Sequence, residues 1–348
     1  MADDFDNYNP AKLNDASGMT TADKQKPISP TNPFRLGIVG HGFVGRAVEY
    51  AFTHPLVDLH VVDPKYDNNI DSMVEFDPMC TFVCVPTPMN PDTGFVDASI
   101  VEDAVLKLIE HTESLVVVKS TITPDIIDRL YNSMFEDGVE RFVYNPEFLT
   151  EKNAEEQFVN AEFHVLGGSD RGVGELTEIY DIFSLCKSDL YYRMSAAEAS
   201  FVKYGINSFL ATKVTFFNQM FDLVNSFGCS YNIITRVMGQ DPRVGIGHTR
   251  VPGYDRKRGF GGACLPKDTT AFLKFSEFKI PDGPRKGEIV SFDLLKNVLD
   301  INNRYRSEYE LDEREKVNNI TFDGDSNERD GQTEEELKDQ DNGSSVGE

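Results

Sequence analysis

The chain has 348 residues, of which 40% are hydrophobic, and this length allows two domains with substantial apolar cores. Its formal net charge of −24 argues against nucleic acid or an anionic membrane surface as a partner. No apolar run approaches the length of a membrane span, and the first residues lack the basic and apolar regions of a signal peptide, so we expect a cytoplasmic protein.

Residues 1–33 are rich in Asp, Asn, Thr, Lys and Pro, which predicts a disordered N-terminal segment. From 34 to 194 strand and helix patterns alternate, which is typical of an α/β domain with a Rossmann-type, doubly wound parallel sheet. The predicted strands are 34–39, 58–62, 80–85, 115–119, 141–144, 163–167 and 189–192. The predicted helices are 43–53, 98–111, 124–135 and 171–185.

A glycine-rich turn follows the first predicted strand. The pattern G-x-G-x-x-G occupies residues 40–45 and opens a helix, and Asp63 ends the next strand. In this context the pattern is a dinucleotide fingerprint, because the glycines let a pyrophosphate approach the backbone at a helix N-terminus. An acid at 63 accepts from both ribose hydroxyls and repels a 2′-phosphate, which favours NAD over NADP, although Lys65 weakens this preference. The predicted cofactor contacts are Gly40, Gly42, Phe43, Val44, Gly45, Asp63, Lys65, Pro86, Thr87 and Thr121.

Three loops that follow predicted strands carry further polar groups. They are VPTP at 85–88, STITP at 120–124 and NPEFLTE at 145–151. Ligands of α/β proteins bind at this edge of the sheet, and the first loop lies near the expected nicotinamide position. Glu147 and Glu151 are candidates to act on a water or to orient a lysine. The alternative for these two acids is a pair at a helix N-terminus, where the helix dipole favours negative charge.

A long helix begins after the last predicted strand. Residues 195–198, Ser-Ala-Ala-Glu, form a capping box, and the apolar pattern continues to a stop at Gly228. A helix of about thirty residues is about 45–50 Å long, and its apolar circumference must be covered on several sides. We therefore expect it to span two domains or to form a dimer interface. Shorter helices are predicted at 231–238, 266–278 and 288–304, so that 195–306 forms a small all-helical domain.

Lys203 and Asn207 lie four residues apart and share one face of this helix. Apolar neighbours at 201, 202 and 206 predict that the ammonium is desolvated and that its pKa is lowered, which suits proton exchange with a substrate hydroxyl. Asn207 is placed to hold the same oxygen. The alternative is a solvated polar stripe.

Cys264 is the residue with the clearest chemical signature. It stands in GFGGACLPKD at 259–268, after three glycines that let a substrate approach the thiol and before Lys267 and Asp268. The alternative is an inert, buried cysteine. Because the five cysteines of the chain are scattered and lack C-x-x-C spacing, we predict neither a disulfide framework nor a metal site.

Residues 307–348 carry a large excess of acidic residues and little that could form a core. This composition predicts a disordered acidic tail.

Seven motifs occur in the order that is found in one enzyme family. They are GxGxxG at 40–45, VPTP at 85–88, ST at 120–121, PEFLTE at 146–151, ExxxxKxxxN at 198–207, DPRVG at 241–245 and GFGGACLPKD at 259–268. Over residues 34–305 the chain resembles the UDP-glucose/GDP-mannose dehydrogenases, and the last motif is most similar to that of the UDP-glucose 6-dehydrogenase branch.

The resemblance implies an NAD-dependent, two-step oxidation of the C6 alcohol of a nucleotide sugar to a carboxylate. Lys203, Asn207 and a water held by Asp268 and Thr121 then manage the C6 oxygen. Cys264 captures the aldehyde as a thiohemiacetal, and water hydrolyses the later thioester with Glu147 as acid/base and Glu151 assisting. A thiolate suits this step because an aldehyde must become tetrahedral before it can lose a hydride.

The resemblance also implies a homodimer through the helix at 195–228, with Arg243 reaching the partner's site. The implied substrate contacts are Glu147, Phe148, Leu149, Lys203, Asn207, Arg243, Phe260 and Gly261. The resemblance also implies that Phe260, Gly261 and Lys267 line the contact between the sugar and the cofactor.

Enzymes of this family usually carry a second α/β domain that binds much of the UDP, and no such domain fits after 306. Three interpretations stay open. The chain oxidises UDP-glucose in a compact form, or it oxidises GDP-mannose, another nucleotide hexose or a simple hydroxy acid, or it is a non-catalytic NAD-binding subunit that needs a partner chain. Cys264 disfavours a simple hydroxy acid, since a two-electron oxidation needs no covalent aldehyde adduct.

Overall fold

A seven-stranded sheet forms the centre of the N-terminal half. The computed structural model describes residues 28–136, 138–279 and 285–322. The strands are β1 (Phe34–Val39), β2 (Val57–Val62), β3 (Cys80–Val83), β4 (Leu115–Val118), β5 (Phe142–Tyr144), β6 (His164–Gly168) and β7 (Tyr191–Met194). Their order in the sheet is β2-β1-β3-β4-β5-β6-β7, and every strand lies within two residues of its predicted position. The predicted α/β fold class is confirmed.

The sheet is mixed, so the prediction of an all-parallel sheet was wrong. Strands β1 to β5 pair in parallel, but β6 runs antiparallel to β5, with Tyr144 opposite Gly167. A loop and a short helix connect β5 to β6, and β6 then runs back along β5. Strand β7 is parallel to β6.

Helices cover both faces of the sheet. They are α1 (Phe43–Ala51), α2 (Ile70–Phe76), α3 (Ser99–His111), α4 (Pro124–Glu136), α5 (Ala154–Val159) and α6 (Asp170–Phe183). Leu36 and Ile38 of β1 belong to the core on one face, and Val39 belongs to the core on the other, as the alternation of side chains along a strand requires. The helices α2 and α5 have seven and six residues and were not predicted, because so few turns show no clear apolar period.

The second half of the described chain is helical. It contains α7 (Ala196–Ser226), α8 (Tyr231–Met238), α9 (Leu265–Ser276), α10 (Asp293–Arg306) and α11 (Glu313–Val317). The capping box predicted for the long helix is confirmed, since Ser195 Oγ accepts from the Glu198 backbone N–H and the Glu198 carboxylate accepts from the Ser195 N–H. Helix α7 packs against α4 on the sheet side and against α9 and α10 on the other. In the part of the chain that the structure describes, no helix is both long and apolar enough to cross a membrane.

The structure describes only part of each of the two terminal segments that were predicted to be disordered. Residues 1–27 and 323–348 lie outside the described residues, so most of the two predicted disordered segments falls there. Residues 28–33 form a turn before β1, and Ile28 packs on the core of the sheet. Residues 307–322 are folded, in contrast to the prediction of disorder: Ile320 and Phe322 are 2% and 7% exposed and pack on Met89. The composition of the acidic segment did not reveal them, because it averages a few apolar anchors with many charges.

Candidate active site

The glycine-rich turn between β1 and α1 has the geometry that the fingerprint predicts. Gly40 adopts φ +89°, and a Cβ there would lie 2.6 Å from the Cys84 carbonyl oxygen. A Cβ at Gly45 would lie 2.1 Å from the Gly40 carbonyl oxygen, so the first turn of α1 packs directly on the end of the strand. Gly42, by contrast, faces open space. The turn therefore leaves room for a ligand at the N-terminus of α1, where Phe43 and Val44 begin the helix.

Asp63 lies directly beside this turn. Its carboxylate accepts from the backbone N–H of His41 at 2.7 Å and of Lys65 at 3.1 Å. Although partial burial acts to raise the pKa of Asp63, these N–H donors and the Lys65 ammonium hold it below its usual value. Lys65 Nζ donates to the His41 carbonyl at 2.5 Å, and so the cation is bound to the turn itself. An anionic acid beside an open glycine turn fits the adenosine half of NAD.

The loops after β3 and β4 are tied to each other and to the long helix. Ser120 Oγ donates to the Val85 carbonyl at 2.7 Å, next to an exposed Pro86 and a buried Thr87. Ser200 Oγ of α7 donates to the Ile122 carbonyl at 2.6 Å. Thr121 is half-buried between these two anchors, and so it lies where the NAD-binding sheet meets the face of α7 that carries the predicted lysine.

Lys203 forms a buried ion pair with Glu147. Its Nζ donates to the Glu147 carbonyl at 2.5 Å and lies 3.2 Å from Oε1, and the side chains are 3% and 6% exposed. The Phe148 ring centroid lies 5.5 Å from the same ammonium, and the Leu149 N–H donates to the Glu147 carboxylate at 2.6 Å. The loop of the PEFLTE motif is thus wrapped around the ammonium.

The prediction of a lowered pKa for Lys203 was wrong. Burial acts to lower the pKa of this ammonium, but Glu147, Asp268 and the Cys264 thiolate form attract the proton, and the net direction is upward. Sequence reasoning considered only the apolar neighbours along the helix and missed the acids that other elements bring to it. A protonated Lys203 is a hydrogen-bond donor and a positive charge for a developing oxyanion.

Asn207 and Asp268 are joined directly. Asn207 Nδ2 donates to Asp268 Oδ2 at 2.6 Å, and Lys267 Nζ donates to Oδ1 at 2.6 Å. Asp268 is 1% exposed, so its charge is balanced by neighbouring donors rather than by solvent. The structure therefore brings together residues that are 61 positions apart in the chain.

Cys264 immediately precedes α9 and lies within the same charged cluster. Burial raises the pKa of its thiol to about 11, and Asp268 and Glu147 raise it as well, whereas Lys203 and Lys267 act in the opposite direction. The thiol is thus protonated at neutral pH in the absence of a ligand. A reaction at its sulfur requires a group that accepts the proton, and carboxylates are close enough to influence it.

The glycine-rich loop before Cys264 is held by side chains of the helical region. Asn302 accepts from the Phe260 N–H at 2.7 Å and donates to the Phe260 carbonyl at 2.9 Å. A Cβ at Gly261 would lie 2.1 Å from Arg306 Nη2, which explains glycine at this position. The Phe260 side chain is 3% exposed and packs on Ala211, so any contact of this residue with a substrate is made by its backbone.

Two predicted site residues stand outside this cluster. Arg243 lies in the loop after α8, pairs with Asp241 and has an 87% exposed side chain. Glu151 lies 3.2 Å from Arg314 and has a half-exposed side chain. Neither is hydrogen-bonded to Lys203 or Cys264 among the described residues.

Sequence reasoning missed three groups around the site. Lys119, at the end of β4, is buried and donates to both oxygens of Asn145, and burial lowers its pKa to about 8 although Cys84 and Glu147 oppose this. A pocket of about 640 Å³ is lined by Lys119 and the PEFLTE loop. The sequence signal that could have identified Lys119 was its position directly before the ST motif at 120–121. Arg306 and Glu315 had no such signal, since Arg306 ends the helical region and Glu315 lies in the segment that was predicted to be an acidic tail.

Two models of one family match consecutive parts of this chain. The NAD-binding domain of the UDP-glucose/GDP-mannose dehydrogenase family matches residues 65–184, and its central domain matches residues 197–304. Together they cover most of the described chain, including strands β3 to β6 and the helix that carries Lys203.

Two curated relatives and one solved structure that are similar to this chain are UDP-glucose dehydrogenases. UDP-glucose 6-dehydrogenase YwqF of Bacillus subtilis (strain 168) is 30% identical over 233 residues, which are 65% of this chain and 49% of the relative. UDP-glucose 6-dehydrogenase of Rhizobium meliloti (strain 1021) is 34% identical over 205 residues, which are 56% of this chain and 45% of the relative. A UDP-glucose dehydrogenase structure from Pyrobaculum islandicum has a TM-score of 0.65 and 26% identity, over 82% of this chain and 70% of that chain. The chain spans about half the length of these curated relatives.

Proposed function

Because the chain belongs to the UDP-glucose/GDP-mannose dehydrogenase family, we propose that it oxidises the C6 alcohol of UDP-glucose to the carboxylate of UDP-glucuronate. The observation that carries this proposal is the placement of Cys264 beside Lys203, Asp268 and Glu147, whose charges all act on its thiol. A four-electron oxidation needs both a site for the alcohol oxygen and a nucleophile for the aldehyde, and this cluster offers both.

NAD⁺, held by the turn at 40–45, Asp63, Lys65 and the loops at 85–88 and 120–121, supplies the hydride acceptor for each oxidation. In the first oxidation the C6 carbon loses a hydride and its hydroxyl loses a proton. Lys203 and Asn207 hold the C6 oxygen, and the positive charge of Lys203 stabilises the negative charge that develops there. Asp268 and Thr121 hold the water that takes the hydroxyl proton.

The second half of the reaction passes through Cys264. Its sulfur adds to the aldehyde carbon, the C=O double bond becomes a single bond, and the thiol proton is transferred to the aldehyde oxygen, which gives a thiohemiacetal. Loss of a second hydride from C6 and of the hydroxyl proton leaves a thioester. Glu147 takes a proton from the attacking water, Glu151 assists, and cleavage of the carbon–sulfur bond returns the thiol and releases the acid. The net change consumes one alcohol, one water and two hydride acceptors per acid.

The proposed function includes a homodimer of the chain. Four large apolar side chains of α7 and its C-cap residue project from the described chain: Phe209, Phe216, Leu223 and Phe227, with exposed fractions of 65%, 55%, 61% and 77%. Three of them repeat every seven residues and thus lie along one stripe of the helix. We propose that this stripe packs on a second copy of the chain, which also carries Arg243 towards the partner's site.

A second candidate function is considered because the matching part of this chain covers only about half of these curated relatives. It is an NAD-binding subunit that acts only with another chain.

A panel of nucleotide sugars distinguishes the active dehydrogenase from the NAD-binding subunit. The full chain is incubated with NAD⁺ and, in parallel, with UDP-glucose, GDP-mannose or UDP-N-acetylglucosamine, and NADH is followed by absorbance. We expect the highest kcat/KM with UDP-glucose. Turnover of another sugar alone would reassign the substrate, and NAD⁺ binding without any turnover would favour the subunit.

A further inference from the structure

Residues 307–322, which we call the strap, connect the helical region back to the NAD-binding sheet. The strap begins at the end of α10 and contains α11. The Asn318 carbonyl accepts from the Met89 N–H at 3.3 Å, and Asn319 Nδ2 donates to the Met89 carbonyl at 2.9 Å. Met89 directly follows the VPTP loop of the sheet. The strap therefore contacts elements from both sides of the candidate active site.

Glu315 fixes the strap on the loop that carries Cys264. Its Oε1 accepts from the Gly262 N–H at 3.0 Å and from Arg306 Nη2 at 2.6 Å, and its Oε2 accepts from the Asp312 N–H at 2.8 Å. Arg306 also donates to Asp255 at 2.6 Å. Since Glu315 is fully buried, these bonds are shielded from solvent, and the position of α11 relative to the loop is well determined.

Arg314 is the neighbour of Glu315 and points in a different direction. Its side chain is 48% exposed, and its Nη1 lies 3.2 Å from Glu151 of the sheet domain. A Cβ at Gly262, two residues before Cys264, would lie 3.9 Å from the Arg314 guanidinium carbon. Asp312 accepts from Nη2 at 2.6 Å and orients the group. An accessible guanidinium thus stands between the Cys264 loop and the PEFLTE loop.

The proposed substrate needs a cation at such a place. A nucleotide sugar carries two negative charges on its diphosphate, close to the hexose whose C6 carbon must reach Cys264. Lys203 and Lys267 are 3% and 6% exposed and are engaged by Glu147 and Asp268, so they face the reacting end of the sugar and not the diphosphate. A guanidinium presents a planar fork of donors that matches phosphate oxygens.

We propose that Arg314 binds the diphosphate of the nucleotide sugar, so that the strap supplies the contact on the nucleotide side of the site. The inference rests on the function proposed above and adds a residue that determines specificity. Phosphate oxygens replace the Glu151 carboxylate at Nη1 while Asp312 keeps its bond to Nη2. The exchange releases Glu151 when substrate is present, which suits the assisting role proposed for it.

The test compares Arg314→Gln with Lys316→Gln in the full chain. Lys316 is the matched control, because it lies two positions along the same short helix and pairs only with the exposed Glu313 among the ion pairs of the described residues. Three quantities are measured: Kd of UDP by calorimetry, KM for UDP-glucose, and KM for NAD⁺. We expect Arg314→Gln to raise the first two about ten- to a hundredfold, as removal of a charged hydrogen bond predicts, and to leave the third and the melting temperature near those of Lys316→Gln. Arg314→Lys should recover part of the loss.

Each alternative result has a distinct meaning. If Arg314→Gln binds UDP within twofold of Lys316→Gln while the wild-type chain oxidises UDP-glucose, the inference is overturned and the proposed function stands. If Arg314→Gln weakens NAD⁺ and UDP alike or lowers the melting temperature strongly, Arg314 is structural and the inference fails. If the wild-type chain binds NAD⁺ but neither UDP nor any nucleotide sugar, both the inference and the proposed function fall.

Discussion

Arg306 and Glu315 form an ion pair in which both side chains are almost completely removed from water. The Nη2 to Oε1 distance is 2.6 Å, and the side chains are 1% and 0% exposed. The pair lies against Gly261 and Gly262, so it packs on the backbone of the loop that positions Cys264. A buried pair of this kind is costly to break, because the remaining partner keeps an uncompensated charge.

The first prediction concerns this pair. Glu315→Ala leaves Arg306 buried with one partner fewer, and we expect the free energy of unfolding to fall by about 3–5 kcal/mol. Urea denaturation of the full chain measures it. Glu313→Ala is the control, since its carboxylate is 85% exposed on the same helix and should change stability by less than about 0.5 kcal/mol. Equal stability of both variants would contradict the account of the strap as a folded element.

The second prediction concerns the pH dependence of the Cys264 thiol. Because burial and the neighbouring carboxylates raise its pKa to about 11, the thiolate fraction should rise about tenfold per pH unit from pH 7 to pH 10. Alkylation by iodoacetamide, followed at the Cys264 peptide by mass spectrometry, should accelerate in parallel. Lys203→Met removes a positive charge that lowers this pKa and should slow alkylation further. A plateau of the rate near pH 7 in the wild-type chain would refute the assignment.

Cofactor choice provides the third prediction. Asp63 is an anionic acceptor beside the glycine turn, and we expect Asp63→Ala to raise KM for NAD⁺ by about tenfold and to reduce discrimination against NADP⁺. Steady-state kinetics with both cofactors measures this ratio. Asp58→Ala, at an exposed position of β2, the strand that directly precedes Asp63, should leave the ratio unchanged. An unchanged preference for NAD⁺ over NADP⁺ in Asp63→Ala would mean that the Asp63 carboxylate does not contact the ribose hydroxyls.

The fourth prediction addresses the exposed stripe of α7. Phe216→Glu places a charge in the middle of the proposed dimer interface, and light scattering after size exclusion should report a shift from two copies towards one. Ile182→Glu is the control, because Ile182 is similarly exposed, at 57% against 55%, but lies on α6. A wild-type chain that elutes as a monomer would exclude this interface.

Much of the fold was predictable because its signals are local. Strand positions follow from short apolar runs, and the start of α7 follows from a capping box whose hydrogen bonds are formed as expected. The direction of β6 was not predictable, since pairing depends on a neighbouring strand and not on the β6 sequence itself. The folded strap was missed because its few anchors, such as Ile320, lie among many acids.

The candidate site was predictable in its residue types but not in its electrostatics. Motifs identified Lys203 and Cys264, yet only the fold shows that Glu147 and Asp268 surround them and reverse the expected direction of the lysine pKa. A pKa depends on groups that arrive from several elements, and helix periodicity reports one element at a time. The roles of these residues and the domain boundaries stay predictions.

The most direct measurement is the ratio of NADH to sugar acid formed from UDP-glucose by the wild-type chain and by Cys264→Ser. The account predicts two NADH per UDP-glucuronate in the wild type, because both oxidations occur before release. It predicts retained NAD⁺ binding but no sustained acid formation in Cys264→Ser, because a hydroxyl is a much weaker nucleophile for the aldehyde. Sustained formation of acid by Cys264→Ser would contradict the covalent role of Cys264.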